Sequence, residues 1–221
     1  LLETPKAFSY FLGNNREDAP MGNQQATDIE LGWLAGIIDG EGWLGVSIET
    51  EHWYRVDKHT REKSIKVEVK VVNTDPAIVV RTAEIMRKIG INPYLRHGNQ
   101  TLKKTPVYEV SIKRLAPVQR LLLVIRDHLV GTKQQRADLI LRFIELRQNN
   151  PGIPNPAYAN GQKGRKGPGV IRPYTEEELT LVEQCRALQA RSGASETTRA
   201  AGAAILAEMK AKVARLEPDN T

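Results

Sequence analysis

Across residues 64 to 72 apolar and polar side chains alternate as far as Val71, with Ile65, Val67, Val69 and Val71 set against Ser64, Lys66, Glu68 and Lys70. A period of two places the two sets on opposite faces of a strand, so one face is core and the other polar. Upstream the period is helical. Thr27-Asp28-Ile29-Glu30 has the form of a capping box, Thr at the N-cap and Glu three residues on, and it leads into the apolar stretch from Leu31 to Ile38. This predicts a helix of about three turns that stops at Asp39-Gly40-Glu41-Gly42, where two glycines open backbone angles closed to other residues. A first strand begins at Trp43. Residues 76–89 read as an amphipathic helix with Ile78, Val79, Thr82, Ile85, Met86 and Ile89 on one side and Gly90 as terminator. Strands over 94–97 and 107–113, joined by a basic turn at Lys103-Lys104, precede helices over 117–128 and 134–148 separated by Gly131-Thr132-Lys133.

The order helix, strand, strand, helix, strand, strand, helix, helix is an α+β plan in which one antiparallel sheet carries helices on one face. Its other face is left uncovered. Residues 1–27 lack apolar periodicity and read as an extended arm, with Met21 as an alternative start. The core domain spans 28–148. Residues 149–174 form a basic loop rich in Pro and Gly that carries Lys163, Arg165, Lys166 and Arg172, and 175–221 supply two further helices expected to pack on the core. No internal repeat is found.

Composition narrows the class. Apolar stretches are short and interrupted by charge, so none approaches the roughly 20 residues of a membrane span. The single Cys185 excludes an intrachain disulfide, and the four histidines have no zinc-like spacing. No signal peptide is expected at Leu1-Leu2-Glu3, and a reducing compartment fits. Thirty-two Lys and Arg against 26 Asp and Glu give a net charge of +6, which favours an anionic partner without identifying it.

Gly32 and Gly36 lie four residues apart on one face of the first helix, with Ala35 between them. Each mid-helix glycine costs about 1 kcal/mol relative to Ala, so close approach of a second helix backbone is the natural compensation. Glu41, just past the helix end and between glycines, is poorly explained by core packing and well placed to bind a metal.

Leu34-Ala35-Gly36-Ile37-Ile38-Asp39-Gly40-Glu41-Gly42 resembles the nine-residue signature of the LAGLIDADG homing endonucleases, with Ile for Leu, Gly for Ala and Glu for the second Asp. The resemblance implies an αββαββα core with a saddle-shaped sheet, and a site-specific DNA endonuclease that promotes intron mobility. It implies that Glu41 and the Gly40 carbonyl bind a divalent metal, Mg²⁺, with Ca²⁺ as a non-catalytic substitute, while Asp39 caps or buttresses the helix end. Only one copy of the motif is present, so the single-motif branch is implied. That branch acts as a homodimer, whose helices meet at Gly32, Ala35 and Gly36 over a roughly palindromic double-stranded DNA site. Lys133, ahead of Gln134-Gln135-Arg136-Ala137, matches the family's basic residue at the cleavage centre, and Asn73 matches its water-orienting polar residue. Ala77 stands where a basic residue is usual, with Arg81 as the nearest substitute.

On the uncovered sheet face the alternation predicts Ser47, Glu49, Ser64, Lys66, Glu68, Lys70, Arg96, Glu109, Ser111 and Lys113, with Gly45 among them. A two-stranded ribbon fits the major groove, where such donors and acceptors distinguish base pairs, and Glu accepts from cytosine N4. An ordinary solvated face would be equally polar. Lys103 and Lys104, and Trp53 and Tyr54 among Arg55, Lys58, His59, Arg61 and Lys63, would reach the flanks of such a site or form solvated turns. Lys163 to Arg172 and Ser195, Thr197, Thr198 and Arg199 are candidate phosphate contacts. The alternatives are an RNA-splicing maturase of the same fold, with intron RNA as partner, and a catalytically inactive DNA-binding regulator. The expected location is the cytoplasm of a bacterium or archaeon, or the chloroplast or mitochondrion that encodes the chain.

Overall fold

A computed structural model of the chain describes residues 25–50, 63–97, 106–154, 170–190 and 196–215. They fall into two compact units, Leu1–Asp138 and Leu139–Thr221.

In the first unit α1 (Asp28–Gly40) leads into β1 (Gly42–Thr50) and β2 (Lys63–Asn73). Next come α2 (Pro76–Lys88), β3 (Tyr94–His97), β4 (Tyr108–Ile112) and α3 (Leu115–Ile125), with a short 3₁₀ turn at Arg126–His128. The capping box at α1 is complete: Thr27 Oγ1 accepts from the Glu30 N–H at 3.3 Å, and Glu30 Oε2 accepts from the Thr27 N–H at 3.0 Å. The four strands form one antiparallel sheet in the order β1-β2-β4-β3. Register pairs Val46 with Val67, Leu44 with Val69, and Val71 with Val110. These side chains are all buried, and α1, α2 and α3 pack on their face. Burying each such side chain is worth about 1.5–3 kcal/mol, which is why the alternation fixes which face carries the helices. Gly90 ends α2 with φ +74°, a left-handed conformation that L side chains rarely adopt.

α4 (Gly131–Asn149) begins in this unit and runs into the second. Lys133, expected just ahead of the helix, lies in its first turn, because Gly131 at φ +59° lets the chain enter the helix directly.

In the second unit Ile153–Pro154 (β5) pairs with Val170–Ile171 (β6), so the ends of the expected loop form a short antiparallel ribbon. α5 (Glu176–Ala190) and α6 (Glu196–Ala214) follow, tied by Lys210 to Glu183 at 2.5 Å. The start of α5 is held by a fully buried Glu178, which accepts from the Thr175 N–H at 2.7 Å and pairs with Arg147 at 3.3 Å. Arg147 also donates to the Pro173 and Arg172 carbonyls, at 3.1 and 2.9 Å, with its guanidinium 4.5 Å from the Tyr174 ring centroid. No helix of the described residues is long and apolar enough to cross a membrane.

Candidate active site

The turn from α1 into β1 is tight because residue 42 has no side chain. A Cβ on Gly42 would stand 2.7 Å from both the Cα and the carbonyl oxygen of Ile38, so the strand leaves hard against the last turn of the helix. Glu41 is the C-cap residue of α1, and its N–H donates to the Ile37 carbonyl at 2.9 Å. Its carboxylate is exposed. Asn73, the last residue of β2, donates Nδ2 to Glu41 Oε2 at 3.4 Å. The Asn73 amide is itself oriented, because Oδ1 accepts from the Asp75 N–H at 2.8 Å; Asp75 in turn caps α2 through the Ala77 N–H at 2.8 Å. The fold thus brings Glu41 and Asn73 together. Asp75 was not singled out, although an Asp directly before Pro76 is a helix-start signal.

Asp39 buttresses the helix end. Its Oδ2 accepts from the Val130 N–H at 3.0 Å, and its buried Oδ1 has no hydrogen-bond partner among the described residues. Lys133 reaches the same place from α4. Its ammonium donates to the Ile38 carbonyl, to the Asp39 carbonyl at 2.6 Å and to the Gly42 carbonyl at 2.8 Å. Burial pushes the Lys133 pKa down; the Asp39 carboxylate opposes that shift and the Arg136 guanidinium adds to it. Arg136, only 4% exposed, donates to the Leu44 carbonyl at 2.8 Å and to the Thr132 carbonyl at 3.3 Å. Arg136 was missed because a charged residue at a helix start reads as solvated. Arg81, the nearest basic substitute for Ala77, lies over the Trp33 ring at 5.1 Å. Trp33 is eight residues before Glu41, about 12 Å along a helix axis, so Arg81 is engaged away from the motif's end.

On α1, Gly32, Gly36 and Gly40 form a stripe about half a turn from the buried Leu34 and Ile38. A Cβ at any of the three glycines would meet nothing within 4 Å among the described residues, and Ile29 on the same side is 83% exposed. Ala35 is a correction. Expected with Gly32 and Gly36 on a meeting face, it is fully buried in the chain's own core, because it stands at the edge of the glycine stripe, about 60° round the helix from both Gly32 and the buried Ile38, and its methyl is covered by the core.

The helix-free face of the sheet is polar, as the alternation predicts. Ser47, Glu49, Ser64, Lys66, Glu68, Lys70 and Glu109 lie on it in register, with Arg96 opposite Glu109. These groups are partly paired with one another: Lys66 with Glu49, and Lys113 with Glu68 at 3.0 Å. Glu68 accordingly raises the Lys113 pKa, with burial opposing. Ser111 is a second correction. It has the right parity but is fully buried, and its hydroxyl has no hydrogen-bond partner among the described residues. Trp43, in contrast, belongs to this face and went unremarked; Lys70 Nζ lies 5.7 Å from its ring centroid, opposite it in register. Extending the alternation of β1 back by one pair would have found it. Lys103, Lys104, Trp53, Tyr54, Arg55, Lys58, His59, Arg61, Lys163, Arg165, Lys166 and Ser195 lie outside the described residues, as do the side chains of Thr197, Thr198 and Arg199. Arg172 donates Nε to the Asn150 carbonyl at 2.9 Å.

No protein-family model matches the chain, and no curated protein does. Among solved structures it is similar to the homing endonuclease I-CvuI in complex with its target in the presence of calcium. The identity is 18%, covering 72% of this chain and 82% of that one, with a TM-score of 0.49. A second I-CvuI complex, in the presence of magnesium with the DNA not cleaved, is 19% identical over 73% of this chain and 95% of that one, TM-score 0.44. The group I intron-encoded homing endonuclease I-CeuI complexed with DNA is 15% identical over 66% of this chain and 67% of that one, TM-score 0.46. With its αββαββα order and the motif placed at the end of the first helix, the chain carries the arrangement that its sequence resemblance to the LAGLIDADG homing endonucleases implies.

Proposed function

We propose that this chain is a site-specific homing endonuclease. As a two-fold symmetric homodimer it makes a metal-dependent double-strand break in a long, roughly palindromic DNA site, and so promotes intron mobility. The observation that carries the reading is Glu41: an exposed carboxylate at a helix C-cap, with the Asn73 amide on it, beside an open polar sheet face. Among the described residues no three His, Cys, Asp or Glu side chains come together as a metal site. One carboxylate and an adjacent backbone carbonyl at Gly40 are a hard, incomplete set of oxygen donors. That set suits Mg²⁺, which keeps several waters and shares substrate phosphate oxygens, and does not suit zinc. When bound, such an ion stabilises the attacking and leaving oxygens of phosphodiester hydrolysis. Glu41 and the Gly40 carbonyl would hold it, and Asn73 holds the carboxylate's orientation. Lys133 supplies positive charge beneath the turn.

A single motif gives one such acid per chain, whereas symmetric cutting of two strands needs two. The open stripe of Gly32, Gly36 and Gly40 offers the contact through which a second copy would bring its own Glu41. DNA would be read on the sheet face, where bases and phosphates compete with Glu49 and Glu68 for Lys66 and Lys113.

The test is to incubate the full chain and Mg²⁺ with a randomised palindromic duplex library and recover double-stranded ends. Cleavage is expected. Glu41→Gln should abolish cleavage of the recovered duplex and leave its binding within a few-fold. Cleavage by the variant, or binding lost in proportion to cleavage, would overturn the assignment.

A further inference from the structure

An ammonium has three donors and no acceptor. In Lys133 all three are committed, to the carbonyls of Ile38, Asp39 and Gly42. Those carbonyls flank the dipeptide Gly40-Glu41, two on the helix side and one on the strand side. None of the three bonds goes to the Gly40 carbonyl. One amine can bridge both flanks only because Gly42 brings the strand against Ile38 at a distance no Cβ would tolerate. The carbonyl end of a helix also carries partial negative charge, which a cation there neutralises. One turn further along α4, Arg136 extends the hold to the Leu44 carbonyl.

We infer that Lys133 is a positioning residue: its ammonium pins the backbone on both sides of Gly40-Glu41 and spares the Gly40 carbonyl, and it acts through that turn rather than by touching the scissile phosphate. The inference rests on the endonuclease reading only for its consequence in catalysis; the clamp is a property of the free chain. Without it the freed carbonyls would leave Glu41 on a mobile turn and compete with the Gly40 carbonyl as oxygen donors. The charge of Lys133 then serves metal affinity first and the chemical step only through it.

Two measurements on the full chain decide this, using Lys133→Met, with Lys133→Gln in its place if circular dichroism shows the Met variant unfolded. The first is backbone hydrogen exchange without metal or DNA. Exchange across 38–44 should rise by on the order of tenfold, the loss expected for hydrogen bonds to a charged donor, while exchange across β4 stays unchanged. Unchanged exchange across 38–44 would overturn the clamp. The second is the Mg²⁺ dependence of cleavage of the library-selected duplex. The variant should need more Mg²⁺ for half-maximal rate and recover to within a few-fold of wild type at saturation. A rate depressed equally at every Mg²⁺ concentration, with half-saturation unmoved, would place the ammonium on the phosphate instead. If wild-type chain cleaves no duplex, the endonuclease reading fails, and hydrogen exchange still judges the clamp.

Discussion

Gly42 is the residue on which the geometry of the site depends most directly. Its substitution by Ala would put a Cβ 2.7 Å from two backbone atoms of Ile38, and backbone cannot swing aside as a flexible side chain can. Gly42→Ala should therefore destabilise the fold by about 1–3 kcal/mol, the usual size of an overpacking penalty, measured by chemical denaturation. Ala at Gly36, with open space around it, should leave the isolated chain's stability near or above wild type. Equal effects at the two positions would remove the account of the turn. At this scale the sequence was legible where a residue's type contradicts its local setting. An acid between glycines at a helix end has no packing reason to be there, and Glu41 stood out for it. Legibility failed where burial depends on neighbours the pattern does not contain. Ser111 has the parity of the open face yet is covered, and Ala35 sits between two glycines yet faces inward. Arg136 fails in the opposite direction, a charge drawn into the interior by a carbonyl that only the fold supplies.

Among the elements, α1 is set by its start as much as by its end. Thr27 and Glu30 complete a capping box, and Lys88 at the end of α2 donates to Glu30 Oε1 at 2.6 Å, so the same carboxylate ties two helices together. The Lys88 ammonium, helped by the Thr27 N–H and opposed by desolvation, holds the Glu30 carboxyl below its usual value of 4.5. A depressed folded-state pKa means that the stabilisation is fully present above the unfolded value and is lost as pH falls through the folded one. Wild type should thus melt above Glu30→Gln at neutral pH, and the two curves should converge as pH drops below 4.5. A gap that persists into acid would show that the charge of Glu30 is not what joins α1 to α2. Element identities were legible because period and caps are local: the alternation of 64–72 and the capping box of 27–30 each specify one element unaided. The β5–β6 ribbon was not, since two residues per strand carry no period and its closure pairs residues far apart in the sequence. The entry of α4 was placed late for a related reason, because Gly131 reads as a break until its positive φ is seen to begin the helix.

For the molecule as a whole, the strand order β1-β2-β4-β3 brings the end of β2, with Asn73, beside the start of β1, which follows Glu41. Periodicity states which face a strand buries but not which strand it joins, so this juxtaposition was reached through resemblance to a family rather than through the pattern itself. The same topology leaves one sheet face without helices and one helix stripe without side chains. On the proposed function DNA covers the first and a second copy of the chain the second. Each copy would then contribute one Glu41, and each Glu41 would cut one strand. The direct measurement uses differently tagged wild-type and Glu41→Gln chains, purified as the mixed dimer and incubated with Mg²⁺ and a supercoiled plasmid carrying the selected site. Conversion to the nicked circle, with linear product reduced to the level of residual wild-type dimer, is the predicted result; undiminished linear product would contradict the claim.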